Sequence, residues 1–188
     1  MEFMDVINQR MSIRAFRDQE VEEQHLQQIL WCGHQAPTAG NLQPWEFIVI
    51  KHQDMKEAIV QTTFVGGDEH NPQTQAWMLK APVFIVICAN VERTKARYGD
   101  EGVKRLIYLD ISACVENMLL AAVDLDLASC YISGFREAEL ISSLQLPEGI
   151  LPLAILPIGY PANIPEKRKK RDLHEIIHYE VYGKTTKE

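Results

Sequence analysis

The chain has 188 residues, 46% hydrophobic and 24% charged, which is ordinary for a globular domain and excludes disordered, collagen-like and coiled-coil classes. The net charge of −7 makes it a poor default binder of nucleic acid or of anionic membrane surfaces, so any anion site must be local. The length suits one domain over residues 1–188 with a core that needs no staples.

Residues 3–9 read as a short helix and Val21–Gln35 as a second, with Leu26, Ile29, Leu30 and Gly33 on one side. Ala36–Pro44 is a loop rich in Pro, Gly and Asn. Trp45–Ile50 is a strand, Asp54–Thr62 a helix, Val65–Gln73 a loop, and Gln75–Lys80 one or two helical turns. Pro82–Ala89 is a continuous apolar run, the pattern of a strand buried on both faces. Residues 103–125 form the longest helix, with an apolar stripe of Ile107, Ile111, Val115, Met118, Leu119 and Ala122. From Cys114 to Val123 it is apolar nearly all round, as in a helix buried centrally or against a second subunit. Ala128–Ile132 reads as a short strand, Glu137–Leu144 as a helix and Pro152–Tyr160 as the last core strand. This order predicts a layered α/β or α+β domain around a small sheet.

No run reaches the ~18 consecutive apolar residues of a membrane span, and the acidic start Met1-Glu-Phe-Met-Asp5 is unlike a signal peptide. The expectation is a cytoplasmic protein. Cys32, Cys88, Cys114 and Cys130 are far apart among apolar residues and read as buried free thiols.

Arg10-Met-Ser12-Ile-Arg14 places two cations and a hydroxyl at alternate positions. In extended chain those three side chains project to one side and can converge on a single anion, for which the planar guanidinium fork is suited. The plain alternative is a solvated basic face. Lys167-Arg-Lys-Lys-Arg171 is a second basic cluster, otherwise a charged surface tail. Two such clusters in an acidic chain suggest one bound phosphate group. Neither fits a phosphate-binding glycine loop, and no GxGxxG is present. The loop through Pro37, Thr38, Asn41 and Gln43 offers small residues and amide side chains suited to a flat heterocycle, or is an ordinary turn. His174-Glu-Ile-Ile-His178 fits HExxH, but only ten residues follow and none is a histidine. It reads as a surface helix face, and metallopeptidase chemistry is set aside. A serine hydrolase lacks its GxSxG.

Taken in order, several segments resemble the nitroreductase family of FMN-dependent NAD(P)H oxidoreductases. They are Arg10–Phe16, Ala36–Ile50, Gln75-Ala-Trp77 before Ala81-Pro82, Asn117–Ala122, Tyr131–Phe135, Pro152–Pro161 and Leu173–Gly183. The resemblance implies a central, mostly antiparallel sheet flanked by helices, and a homodimer with FMN at its interface. It implies that Arg10, Met11, Ser12 and Arg14 hold the FMN phosphate and ribityl chain. Arg168 and Lys170 are the best matches to a second phosphate clamp, with Lys169 and Arg171 as the neighbouring register. Pro37, Thr38 and Asn41 of the partner subunit would line the ring, and Gln75 would contact ring or ribityl. Ser133 and Gly134 would offer backbone amides near the flavin edge, and the tail from about residue 162 would reach the partner.

The implied activity is ping-pong: NADH or NADPH gives hydride, and a nitroaromatic, quinone or related small acceptor takes the electrons. The alternative is a flavin carrier or sensor without turnover. Where the family often has Gly-Leu-Gly, this chain has Asp126-Leu-Ala128, so the preceding helix must be capped differently.

Overall fold

The computed structural model describes residues 1–185. Its helices are α1 (Phe3–Gln9), α2 (Glu23–His34), α3 (Gln53–Thr62), α4 (Val91–Asp124) and α5 (Glu137–Leu144). Its strands are β1 (Trp45–Ile50), β2 (Val83–Asn90), β3 (Ala128–Ser129) and β4 (Ile150–Gly159). The sheet order is β1-β2-β4-β3, and every ladder is antiparallel. The expected α+β architecture and its antiparallel sheet are therefore observed.

Strand β2 shows why its sequence has no polar alternation. Val83, Ile85, Ile87 and Ala89 point into a core built with α2 and α4. Phe84, Val86 and Cys88 point into a second core with Ile59 and Val60 of α3 and Leu140 of α5. The strand is buried from Val83 to Ala89, so each side chain needs an apolar partner.

Three elements differ from the sequence reading. The long helix begins at Val91, not residue 103, and is broken at Gly99, whose φ of +61° is left-handed. Its charged first segment carries no apolar stripe to announce it. The expected strand Ala128–Ile132 is a ladder only at Ala128–Ser129; Ser129 also bridges the N-terminal segment at Ser12, and the chain rejoins β4 only at Ile132. The HExxH stretch is not an α-helix: only Leu173–Glu175 forms a 3-10 turn, so its histidines do not share a helical face. Among the described residues no cluster of three metal-ligating side chains exists.

The apolar surface of residues 114–123 is largely satisfied inside the chain. Cys114, Val115, Met118, Leu119, Ala121 and Ala122 are all buried. The helix is long and apolar enough, by length and composition alone, to cross a membrane, but half of its most apolar window is buried here against α2 and the sheet. Its end is capped by a Schellman motif without glycine. Leu127 N–H donates to Ala122 O (2.8 Å) and Asp126 N–H to Val123 O (3.1 Å), with Asp126 itself at φ +56°.

Beyond β4 the chain pairs Ala162 N–H with Ala15 O (3.0 Å) and then runs over the surface with most side chains exposed.

Candidate functional site

The segment after α1 is extended, and its burial alternates. Ile13 is buried, whereas Ser12 and Arg14 are exposed and Arg10 is half-buried. Ile13 N–H donates to Ser129 O (3.0 Å), which anchors the segment beside β3. Arg10, Ser12 and Arg14 all lie within electrostatic or hydrogen-bond reach of one buried thiol, Cys130. Burial pushes the Cys130 thiol up, while the Arg14 cation, a hydrogen bond with Ser12 and the Arg10 cation pull against it. Arg10 Nε also lies 3.7 Å from Glu116 of α4. The intervening Met11 is half-buried, packs on the second core and lines a cleft of about 250 Å³ with Ile13, Leu127 and Ala128.

A chain of contacts leads from Arg14 to the other predicted residues. Its guanidinium lies 5.8 Å from the centre of the Trp77 ring. Trp77 Nε1 donates to Gln75 Oε1 (2.9 Å), and Gln75 Nε2 donates to Phe64 O (3.0 Å). Phe64 N–H in turn donates to Gly134 O (3.1 Å). A side chain at position 134 would stand 3.2 Å from Phe64 O, so this approach favours glycine. Among the described residues the backbone N–H groups of Ser133 and Gly134 donate to no protein acceptor. Ser133 also lines a cleft of about 280 Å³, together with Tyr108, Ser112, Tyr131 and Phe135.

Pro37, Thr38 and Asn41 are held elsewhere, against α4. Ala39 N–H donates to Asp110 Oδ1 (3.0 Å), Arg97 donates to Gly40 O (3.2 Å) and Arg93 to Leu42 O (2.8 Å). Asn41 and Gln43 have φ of +56° and +49°, an uncommon conformation that these clamps sustain. Arg168 and Lys170 lie exposed on the tail, while Lys167 Nζ donates to Asn8 O (2.7 Å) beside α1. One chain thus brings together Arg10, Ser12, Arg14, Gln75, Ser133 and Gly134, but not the loop at Pro37–Asn41.

The family model described as the nitroreductase family matches residues 7–160. The chain belongs to the nitroreductase family. This nitroreductase-family chain is 29% identical over 186 residues to a Methanothermobacter thermautotrophicus protein provisionally named NADH dehydrogenase/NAD(P)H nitroreductase, covering 97% of this chain and 88% of the other. It is 27% identical over 197 residues to an NAD(P)H-dependent FMN reductase of Bacillus subtilis, covering 96% and 74%. A solved nitroreductase family protein from Clostridium difficile superposes with a TM-score of 0.81 at 29% identity, covering 96% of this chain and 99% of that one.

Sequence reasoning did not single out Trp77 and Phe64, which link Arg14, Gln75 and Gly134, or Asp110, which holds the Pro37–Asn41 loop. Trp77 stacks on Phe16 at 6.4 Å as well as on Arg14. Its only sequence signal is its place in Gln75-Ala-Trp77. Asp110 is 5% exposed and its Oδ2 has no partner. Burial pushes its carboxyl up, and the Ala39 N–H pulls it down. Nothing local distinguishes it from other acids on α4.

Proposed function

We propose that this protein is an FMN-dependent oxidoreductase. It takes hydride from NADH or NADPH and reduces a small acceptor, such as a nitroaromatic or quinone, in a ping-pong cycle. The observation that carries this reading is the chain of contacts from Arg14 through Trp77 and Gln75 to Phe64 and Gly134, with Arg10 and Ser12 at alternate positions of the same extended segment as Arg14.

The donor set fits FMN. Two guanidiniums and a hydroxyl suit a phosphate dianion, and the basic run with Arg168 and Lys170 supplies further cations. At the other end, the unpaired N–H groups of Ser133 and Gly134 suit the acceptor atoms of a flat heterocycle. The amide of Gln75 is held by Phe64 O and Trp77 between these two ends.

Bound FMN supplies the hydride-accepting and electron-donating chemistry. The chain's own residues bind and orient it, and no side-chain nucleophile is required. In this reading the functional unit is a homodimer, with Pro37, Thr38 and Asn41 reaching the flavin of the opposite subunit. The exposed Trp31 and Leu109, 61% and 58% accessible, support a covered apolar face.

The test is anaerobic mixing of flavin-loaded protein with NADH or NADPH. Rapid bleaching, followed by reoxidation on adding a quinone, is expected, with parallel double-reciprocal plots in steady state. Flavin binding without bleaching by either nucleotide would point instead to a carrier or sensor.

A further inference from the structure

Arg136 stands two residues after Gly134, at the start of α5, and its side chain is largely covered by backbone carbonyls. Its Nε donates to Glu69 O (3.0 Å) and its Nη2 to Asn71 O (3.0 Å). Its Nη1 faces Gln61 O (3.2 Å), Thr62 O (3.4 Å) and Thr63 O (3.5 Å), and its own N–H donates to Thr62 O (2.8 Å). The nearest carboxylate, Glu139, is farther from Nη1, at 3.7 Å.

The last four carbonyls of a helix have no partner within it. In α3 these are Ile59, Val60, Gln61 and Thr62. The hydroxyls of Thr62 and Thr63 donate to the first two, at 2.8 and 2.7 Å. Arg136 serves the other two, where a cation also meets the negative end of the helix dipole. The other edge of the same planar fork grips Glu69 and Asn71, on the far arm of the loop between Phe64 and Gln75. That loop also closes on itself, through Val65 N–H to Gln73 O (2.9 Å) and Asn71 Nδ2 to Val65 O (2.8 Å).

We infer that Arg136 is a positioning residue for the reaction: it clamps the 65–73 loop to the end of α3, and so fixes the wall between Gln75 and Gly134 past which nicotinamide and acceptor enter. This rests on the proposed flavin reading, because it takes those two residues to border the flavin. The loop's bonds to Arg136 are made by carbonyls aimed at one rigid five-donor fork. Lysine offers a single charged nitrogen with three donors and cannot span both arms.

The experiment compares the wild-type flavoprotein with Arg136→Lys and Arg136→Gln. Lysine keeps a cation at the helix end, so that variant preserves the fold if glutamine does not. Three readouts are taken. Hydrogen exchange of residues 65–73 is expected to accelerate at least tenfold in Arg136→Lys. The KM for NAD(P)H and for a bulky quinone is expected to rise about tenfold. FMN affinity is expected to stay within threefold, because the phosphate end at Arg10–Arg14 is not touched. Unchanged exchange of 65–73 would overturn the clamp. Faster exchange with wild-type KM values would overturn its role in the reaction. Failure of the flavin reading has a separate signature: wild-type protein that takes up no FMN, whatever the loop does.

Discussion

Arg14 lies over the indole of Trp77, its guanidinium carbon 5.8 Å from the ring centre, and the same indole N–H is committed to Gln75 at 2.9 Å. The cation is thereby held in place by an apolar face, and among the described residues no acceptor is hydrogen-bonded to its N–H groups. Cation–π contacts of this kind contribute about 0.5–2 kcal/mol. A single aromatic side chain thus couples the expected phosphate end of the site to the expected ring end.

Arg14→Ala is expected to weaken FMN binding about 10- to 100-fold, from the loss of one charge-assisted contact worth roughly 1.5–3 kcal/mol. Arg10→Ala should act in the same direction, with part of its effect absorbed by release of Glu116. Riboflavin lacks the phosphate, so its affinity should barely move in either variant. Paired titrations with FMN and riboflavin decide the point; equal losses for both ligands would make the segment structural.

The second expectation concerns assembly. Phe3, Met4, Trp31 and Leu109 are each 58–68% exposed, and Ile164, Leu173 and Tyr182 on the tail are more than 60% exposed. A dimer interface would cover such side chains. Light scattering should give a dimer of the 21.5 kDa chain, and truncation after Pro161 should loosen both the dimer and FMN binding. A truncated chain that stays dimeric and binds FMN as tightly as the intact one would count against the tail's role.

A third expectation follows from Asp110. Burial raises its carboxyl above the ordinary 3.8, so the native state holds this proton to higher pH than the unfolded chain does. Stability from this group is therefore full at low pH and is lost as pH rises from about 3.8 through the raised native value. Asparagine has no such transition. Urea unfolding of wild type and Asp110→Asn from pH 4 to 7 should show the difference moving in favour of asparagine as pH rises. Parallel curves would mean that the carboxylate is not strained by burial.

Gly159 closes β4 against rigid neighbours. A Cβ there would stand 2.7 Å from Pro82 Cδ and 3.0 Å from Phe16 Cδ1. Phe16 is the ring that stacks on Trp77. Gly159→Ala should cost about 1–3 kcal/mol through overpacking, measurable as a shift in denaturant midpoint. A midpoint at or above that of wild type would show that the proline and phenylalanine rings can give way.

Much of this protein was legible in the chain itself. The unbroken apolar run at Pro82–Ala89 has the pattern of a strand covered on both faces, and every side chain from Val83 to Ala89 is buried. Alternation at Arg10, Ser12 and Arg14 placed two guanidiniums and a hydroxyl on one side of an extended segment, since the strand period is two. What was not legible depended on contacts distant in sequence. The α4 segment before Gly99 has no apolar stripe and is tied down by Arg93 donating to Leu42 O and Arg97 to Gly40 O. The outer edge of β3 is taken by Ser12, 117 positions earlier, which bridges Ser129 while β4 holds the inner edge. Arg136 has no local pattern at all: its role exists only where the end of α3, the 65–73 loop and the start of α5 meet. Local periodicity fixes which face of a segment is buried, but a carbonyl finds its donor only after the chain has folded.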